Sequence, residues 1–233
     1  MTASIIFFLS VWVGVLIAKV IRKQVKVGTS MLLAFSGSFL FSVSVLHLIP
    51  ELYGHNHSHL PGLLMLAGFI SQFLMDFLSR GVEHGHTHSG DVMKGILPIG
   101  IFAGLFIHAF MEGLPTFGMN DVSLRGFVIA VALHKIPVAI VLYVLLKEAS
   151  IPPIRLWLSI LAFSLMAPLG SLTISVLPVL QEWTTQISAF VIGIFLHVST
   201  TILYESSKDH KFNVRKLVVV ILGALLGWLT ITH

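Results

Sequence analysis

Ile107-His108-Ala109-Phe110-Met111-Glu112-Gly113-Leu114-Pro115 lies within an apolar run over 96–114 that is long enough to cross a bilayer as a helix. His108 and Glu112 are four residues apart and therefore one above the other on a single helix face. A carboxylate at membrane depth costs about 2.5 to 3.5 kcal/mol even on lenient insertion scales, so Glu112 needs a partner or a purpose. The next apolar run supplies one in Ala132-Leu133-His134-Lys135-Ile136-Pro137. Two imidazoles and one carboxylate, His108, His134 and Glu112, are donors that a divalent cation such as zinc accepts.

The composition around this stretch is that of a membrane protein. With 56% hydrophobic and 10% charged residues over 233 positions, the chain departs from any soluble globular composition and reads as an all-α polytopic bundle. Its mean hydropathy is +0.96. Eight apolar segments of roughly 20 residues are expected over 4–18, 29–49, 61–78, 96–114, 126–146, 154–177, 183–203 and 214–232, forming one transmembrane domain over 1–233. The first has no basic segment before it and no cleavage site after it, so it is taken as a span and not as a removable signal. There are no cysteines, so neither disulfides nor thiolate ligands enter the argument.

Threading eight spans from an outside N-terminus gathers Lys19, Arg22, Lys23, Lys26, Arg80, Lys94, Lys147, Arg155, Lys208, Lys211, Arg215 and Lys216 on one side. The excess of basic residues makes that side cytoplasmic, with both termini outside an integral cell membrane. The net charge of +4 thus reflects topology and not nucleic-acid binding.

Histidines recur on both sides of this frame. The second span ends in His47-Leu48-Ile49-Pro50-Glu51 at the outer rim, which reads either as a hydrated interfacial pair or as an entrance for the cation. His55, His57 and His59 follow in the loop 55–59 on the outside, and His84, His86 and His88 occupy the loop 84–88 on the cytoplasmic side. Such loops bind metal loosely and raise its local concentration. Gln72 and Asp76 in the third span are spaced for an interior hydrogen-bond pair. In the seventh, Gly193, His197, Thr201 and Glu205 form a stripe, read either as an exit path or as a hydrogen-bonded interior.

Small residues at four-residue spacing, Gly100 and Gly104 in the fourth span and Gly126 and Ala130 in the fifth, predict a close approach of these two backbones. Pro115 and Pro137 free the carbonyls of Met111 and Leu133 and predict kinks beside the ligands. Lys135, about 13 Å from Gly126 along a helix, is too deep to snorkel outward and is expected to face the interior and pair with Glu112 or another acid. Gly223-xxx-Gly227 in the eighth span is a packing or homodimer face.

Over nearly its whole length the chain resembles the ZIP (Zrt/Irt-like) family of divalent-metal transporters. The family's fourth span carries His-Asn-x-Pro-Glu-Gly, which His108, Glu112 and Gly113 match and Ala109 and Met111 do not. Its fifth carries His-Glu-x-Pro-His-Glu; here His134 and Pro137 match, whereas Lys135, Val138 and Ala139 depart. The resemblance implies eight spans in a 3+2+3 inverted-repeat bundle and alternating access, with His108, Glu112 and His134 as ligands to the transported ion. It also implies a single-metal version, because Ala109 and Lys135 stand where the family's second metal finds ligands; the Lys135 ammonium then takes the place of the missing cation.

The cargo is expected to be a divalent metal moved into the cytoplasm, zinc foremost, with iron, manganese and cadmium suited by the same donors. No enzymatic activity is expected. Two other classes use the same residues: a metal-binding membrane sensor without transport, and an intramembrane metal-dependent hydrolase in which Glu112 or Glu51 activates water. The latter lacks an HExxH pattern.

Overall fold

The computed structural model describes residues 2–20, 25–54, 58–79, 99–117, 119, 121–205 and 214–230, except for the side chains of 25–28, 79 and 205. Helices occur throughout and no strand is present among the described residues. In chain order they are α1 Thr2–Val20, α2 Val25–Val43, α3 Ile49–Tyr53, α4 Leu60–Ser79, α5 Ile99–Met111, α6 Asp121–Glu148, α7 Pro153–Val176, α8 Pro178–Gln181, α9 Thr184–Glu205 and α10 Val214–Leu229. A π-helical turn, Ser44–Leu48, joins α2 to α3, and a 3₁₀ turn, Leu114–Thr116, follows α5.

Among the described residues, seven stretches are long and apolar enough to cross a bilayer: Thr2–Val20, Thr29–Tyr53, Leu60–Leu78, Ile99–Thr116, Asp121–Glu148, Pro153–Val176 and Thr184–Tyr204. The eighth expected span corresponds to α10, whose 16 described residues reach about 24 Å, short of the roughly 30 Å of hydrocarbon. The second span runs past the expected 49 to Tyr53. Pro50 has no N–H for the carbonyl of Leu46, and the chain there adds a residue per turn instead of stopping.

Buried apolar side chains form two clusters. One joins α2, the first half of α6 and α9 through residues such as Leu40, Phe127, Val131, Phe195 and Val198. The other joins α1, α5, the second half of α6 and α7 through Val15, Leu105, Leu142, Ile160 and Phe163. α6 passes through both, and His134 and Lys135 lie on the stretch between its Val131 and Val138 contributions. α4 is at the other extreme and turns Leu63, Ile70, Phe73, Leu74 and Phe77 outward, as a lipid-facing helix does.

Helix pairs that do pack closely use glycine. A Cβ on Gly68 of α4 would lie 1.9 Å from the carbonyl oxygen of Phe190, and one on Gly193 of α9 would lie 1.9 Å from that of Met65. The two backbones therefore touch, each glycine opposite the other helix's main chain. In α10, a Cβ on Gly223 would be 2.6 Å from the carbonyl oxygen of Phe35 and one on Gly227 would be 2.8 Å from Cβ of Ser42. Ser42 Oγ also donates to the carbonyl of Ala224 at 2.9 Å. The face expected to serve packing or dimerisation is thus occupied by α2 of the same chain.

The expected close approach of the fourth and fifth spans is not found. α5 lies on α4 and α7, and α6 on α1 and α2, with little direct contact between α5 and α6. Gly126 faces the His47 ring, whose nearest carbon would be 3.2 Å from a Cβ there. Ala130 packs into the first apolar cluster. The physical reason is room: side chains as long as histidine, glutamate and lysine that meet between two helices hold the backbones apart.

Gly68→Ala and Gly193→Ala should each destabilise the protein by about 1 to 3 kcal/mol, because the added methyl drives into a carbonyl that belongs to a packed helix. Thermal unfolding in detergent micelles measures this, and an unchanged midpoint for both variants would contradict the contact.

Candidate metal centre

The end of α5 sets the position of Glu112. Pro115 cannot donate to the carbonyl of Met111, so the helix stops there instead of kinking and continuing. Glu112 N–H still donates to the carbonyl of His108 at 3.1 Å, whereas Gly113 N–H already bonds the carbonyl of Phe110 at 3.0 Å, a tighter 3₁₀-type turn. Gly113 meets α7 with no room for a side chain: its Cβ would lie 2.0 Å from the carbonyl oxygen of Ala167, and a Cβ on Gly170 would lie 2.1 Å from that of Phe110. The Thr116 hydroxyl is 2.8 Å from that of Ser171. These contacts pin the turn that carries Glu112 to α7. By contrast Pro137 lies inside α6, which continues past it.

His108 and Glu112 then face His134 across the gap between α5 and α6. One ligand atom from each of the three lies within 4.8 Å of the others. His108 Nε2 is 3.3 Å from Glu112 Oε1. The His108 and His134 rings are 6.0 Å apart between centroids and meet edge to face at 76°. All three side chains are buried.

Lys135 completes the group. Its Nζ pairs with Glu112 Oε2, the oxygen turned away from His108, and it lies 5.6 Å from the centroid of the Phe163 ring of α7. Lys135 is 3% exposed, so the ammonium is sequestered from solvent with its carboxylate. The two oxygens of Glu112 are thus divided: one faces an imidazole nitrogen, the other a cation. Around them Ala109, Val138 and Ala139 are buried and apolar and offer no further donor.

Gln72 and Asp76 belong to the same network, which their spacing alone did not reveal. Gln72 Nε2 donates to Asp76 Oδ1 at 2.9 Å, the helical pair expected from the sequence. In addition, Gln72 Oε1 is 3.0 Å from His108 Nδ1, and Asp76 Oδ2 is 2.7 Å from His197 Nε2 of α9. Phe69 and Phe73 of α4 flank the His197 ring edge to face, with centroids at 4.7 and 6.0 Å. A polar chain therefore runs from α9 through α4 to α5. The one signal for it in the sequence was the presence of uncharged and acidic polar residues inside apolar spans.

Among the described residues the grouping that could hold a metal ion comprises His108, Glu112 and His134 alone. His47, in the π turn, rests on Gly126, and its Nε2 is buried with no hydrogen-bond partner among the described residues. Glu51 is half-buried in α3 and His59 is exposed. His55, His57, His84, His86, His88 and the Glu205 side chain fall outside the described residues.

Two imidazole nitrogens and a carboxylate oxygen, grouped in a buried cluster with a lysine that balances the acid, match the donor preference of a small divalent cation. A protein-family model described as ZIP zinc transporter matches residues 83–230, well over half of the chain, and includes α5, α6, α7, α9 and α10. With its all-helical, membrane-spanning architecture, the chain belongs to the ZIP zinc transporter family, whose members are transporters of divalent metals and not enzymes.

Proposed function

We propose that this chain, as one transmembrane unit over 1–233, carries zinc into the cytoplasm one ion at a time through a site made by His108, Glu112 and His134, with Lys135 as a built-in second cation. The observation that carries this reading is the division of Glu112. Its Oε1 faces His108 Nε2 at 3.3 Å while its Oε2 is held by the Lys135 ammonium. A carboxylate so placed is oriented to bridge two positive centres, one supplied by the protein and one by the cargo.

The energetics agree with a carrier. With Lys135 in place the empty site is close to neutral, so Glu112 is not stranded as a buried charge between transport cycles. When an ion enters, only one carboxylate and two neutral imidazoles meet it, and the nearby ammonium opposes it. Three protein ligands leave the coordination shell open, which favours release over the retention typical of a closed four-ligand site. The distribution of basic residues along the sequence supports an orientation with the termini outside and the C-terminal ends of α1, α6 and α9 toward the cytoplasm. In that orientation His47 and Glu51, with the loop histidines His55, His57 and His59, form an entrance. The proposed exit path uses His197, Glu205 and the loop histidines His84, His86 and His88.

Purified protein in liposomes should take up zinc, and His108→Ala should reduce uptake by more than the roughly 10- to 100-fold that loss of an outer partner of a metal ligand costs. Zinc bound at equal affinity by both proteins, or binding without flux in the intact one, would refute the carrier reading. Lys135→Met should destabilise the metal-free protein by about 3 to 5 kcal/mol, since it leaves Glu112 buried without its countercharge. Added zinc should restore most of that stability, as read by thermal unfolding with and without the metal. Lys135→Glu should raise the number of ions bound per chain, measured by equilibrium dialysis; an unchanged number would dispose of the single-metal argument.

A further inference from the structure

The chain of contacts from α9 to α5 has a direction, and the direction follows from which atoms can donate. A carboxylate oxygen only accepts, so the atom of Gln72 that faces Asp76 Oδ1 at 2.9 Å must be its amide nitrogen. The Gln72 oxygen then faces His108 Nδ1 at 3.0 Å, and a carbonyl oxygen also only accepts. His108 must therefore carry its proton on Nδ1. In the neutral ring Nε2 keeps its lone pair, and Nε2 is the atom directed at Glu112 Oε1.

We infer that Gln72, oriented by Asp76, is a positioning residue that fixes the tautomer of His108 and so prepares its Nε2 to receive the cargo ion. The inference rests on the metal-site reading of His108 above. Asp76 is held from the far side by the His197 Nε2–H at 2.7 Å, and His197 is held in turn by the Phe69 and Phe73 rings. Gln72 is fully buried and its contact with His108 is buried, so water is kept from that bond, whereas Asp76 at the outer end of the relay is 16% exposed. An imidazole lone pair aimed at a carboxylate lone pair is a poor contact in an empty site and a good one with a cation between them. The relay thus favours the loaded site over the empty one. Outer carboxylates play this part for metal-bound histidines, and here an amide is interposed between acid and ring.

The test uses the full-length protein in micelles with ¹⁵N-labelled histidine, the His108 signals being assigned by difference from His108→Ala. In the metal-free intact protein His108 Nδ1 should carry a proton. Gln72→Leu removes the acceptor: Nδ1 should lose its proton preference and zinc affinity should fall about 10- to 100-fold. The double variant Gln72→Glu with Asp76→Asn exchanges acid and amide, presenting an acceptor to Nδ1 once more. It should keep the Nδ1 proton and bind zinc within a few-fold of the intact protein, a rescue that a merely space-filling role would not produce. A bare Nδ1 in the intact protein, or a double variant as weak as Gln72→Leu, would overturn the inference. Absence of zinc binding by the intact protein would instead defeat the metal-site reading, and the metal-free tautomer would still decide this one.

Discussion

A buried ion pair, Glu112 with Lys135, is the constraint on which the centre of this protein depends. Neither charge is tolerable alone in a low-dielectric interior, because each would cost several kcal/mol without a partner. Together they are nearly neutral, and both lie within a few percent of complete burial. The Phe163 ring adds a favourable face for the ammonium without adding an acceptor that would compete for it. The pair can occupy the middle of the bundle because the two apolar cores are separate at this level of α6, one above His134 in the sequence and one below Lys135. The polar layer therefore interrupts no continuous packing.

Three different helices hold the site, each by a different physical means. α5 ends where Pro115 denies it a hydrogen bond, and the turn that follows is seated on α7 by the backbone contacts of Gly113 and Gly170. α6 runs unbroken and brings His134 and Lys135 on adjacent positions, so that one reaches toward the imidazole and the other toward the acid. α4 contributes no proposed ligand but orients one, through Gln72. Because α4 touches α9 through Gly68 and Gly193, the orientation of His108 is tied to the packing of two helices that supply no proposed ligand.

The gap between α5 and α6 is as much a part of this design as the contacts. Had the glycine stripes of the two helices met, Cβ-to-Cβ distances would have left no space for His108, Glu112, His134 and Lys135 together. The small residues are used elsewhere: Gly126 receives the His47 ring, and a Cβ on Gly100 would lie 3.3 Å from the carbonyl oxygen of Leu78 in α4. A stripe of small residues shows that a helix is approached closely on one face without saying by which neighbour.

The membrane class, seven of the eight expected spans among the described residues and the grouping of His108, Glu112 and His134 were legible in the chain itself. Those features rest on local quantities: the length of apolar runs, the cost of a carboxylate at membrane depth, and the fixed geometry that stacks residues four apart on one helix. Lys135 was expected to pair with Glu112 or another acid, and its partner is Glu112. Gln72, Asp76 and His197 looked like separate local features because their partners are 36 and 121 residues distant, and no periodicity encodes a pairing between helices. The π turn at His47, the end of α5 at Met111 and the seating of α10 on α2 were likewise settled by tertiary structure. Each depends on which backbone lies opposite, and burial of a polar group constrains that it be satisfied without naming the chain segment that will do it.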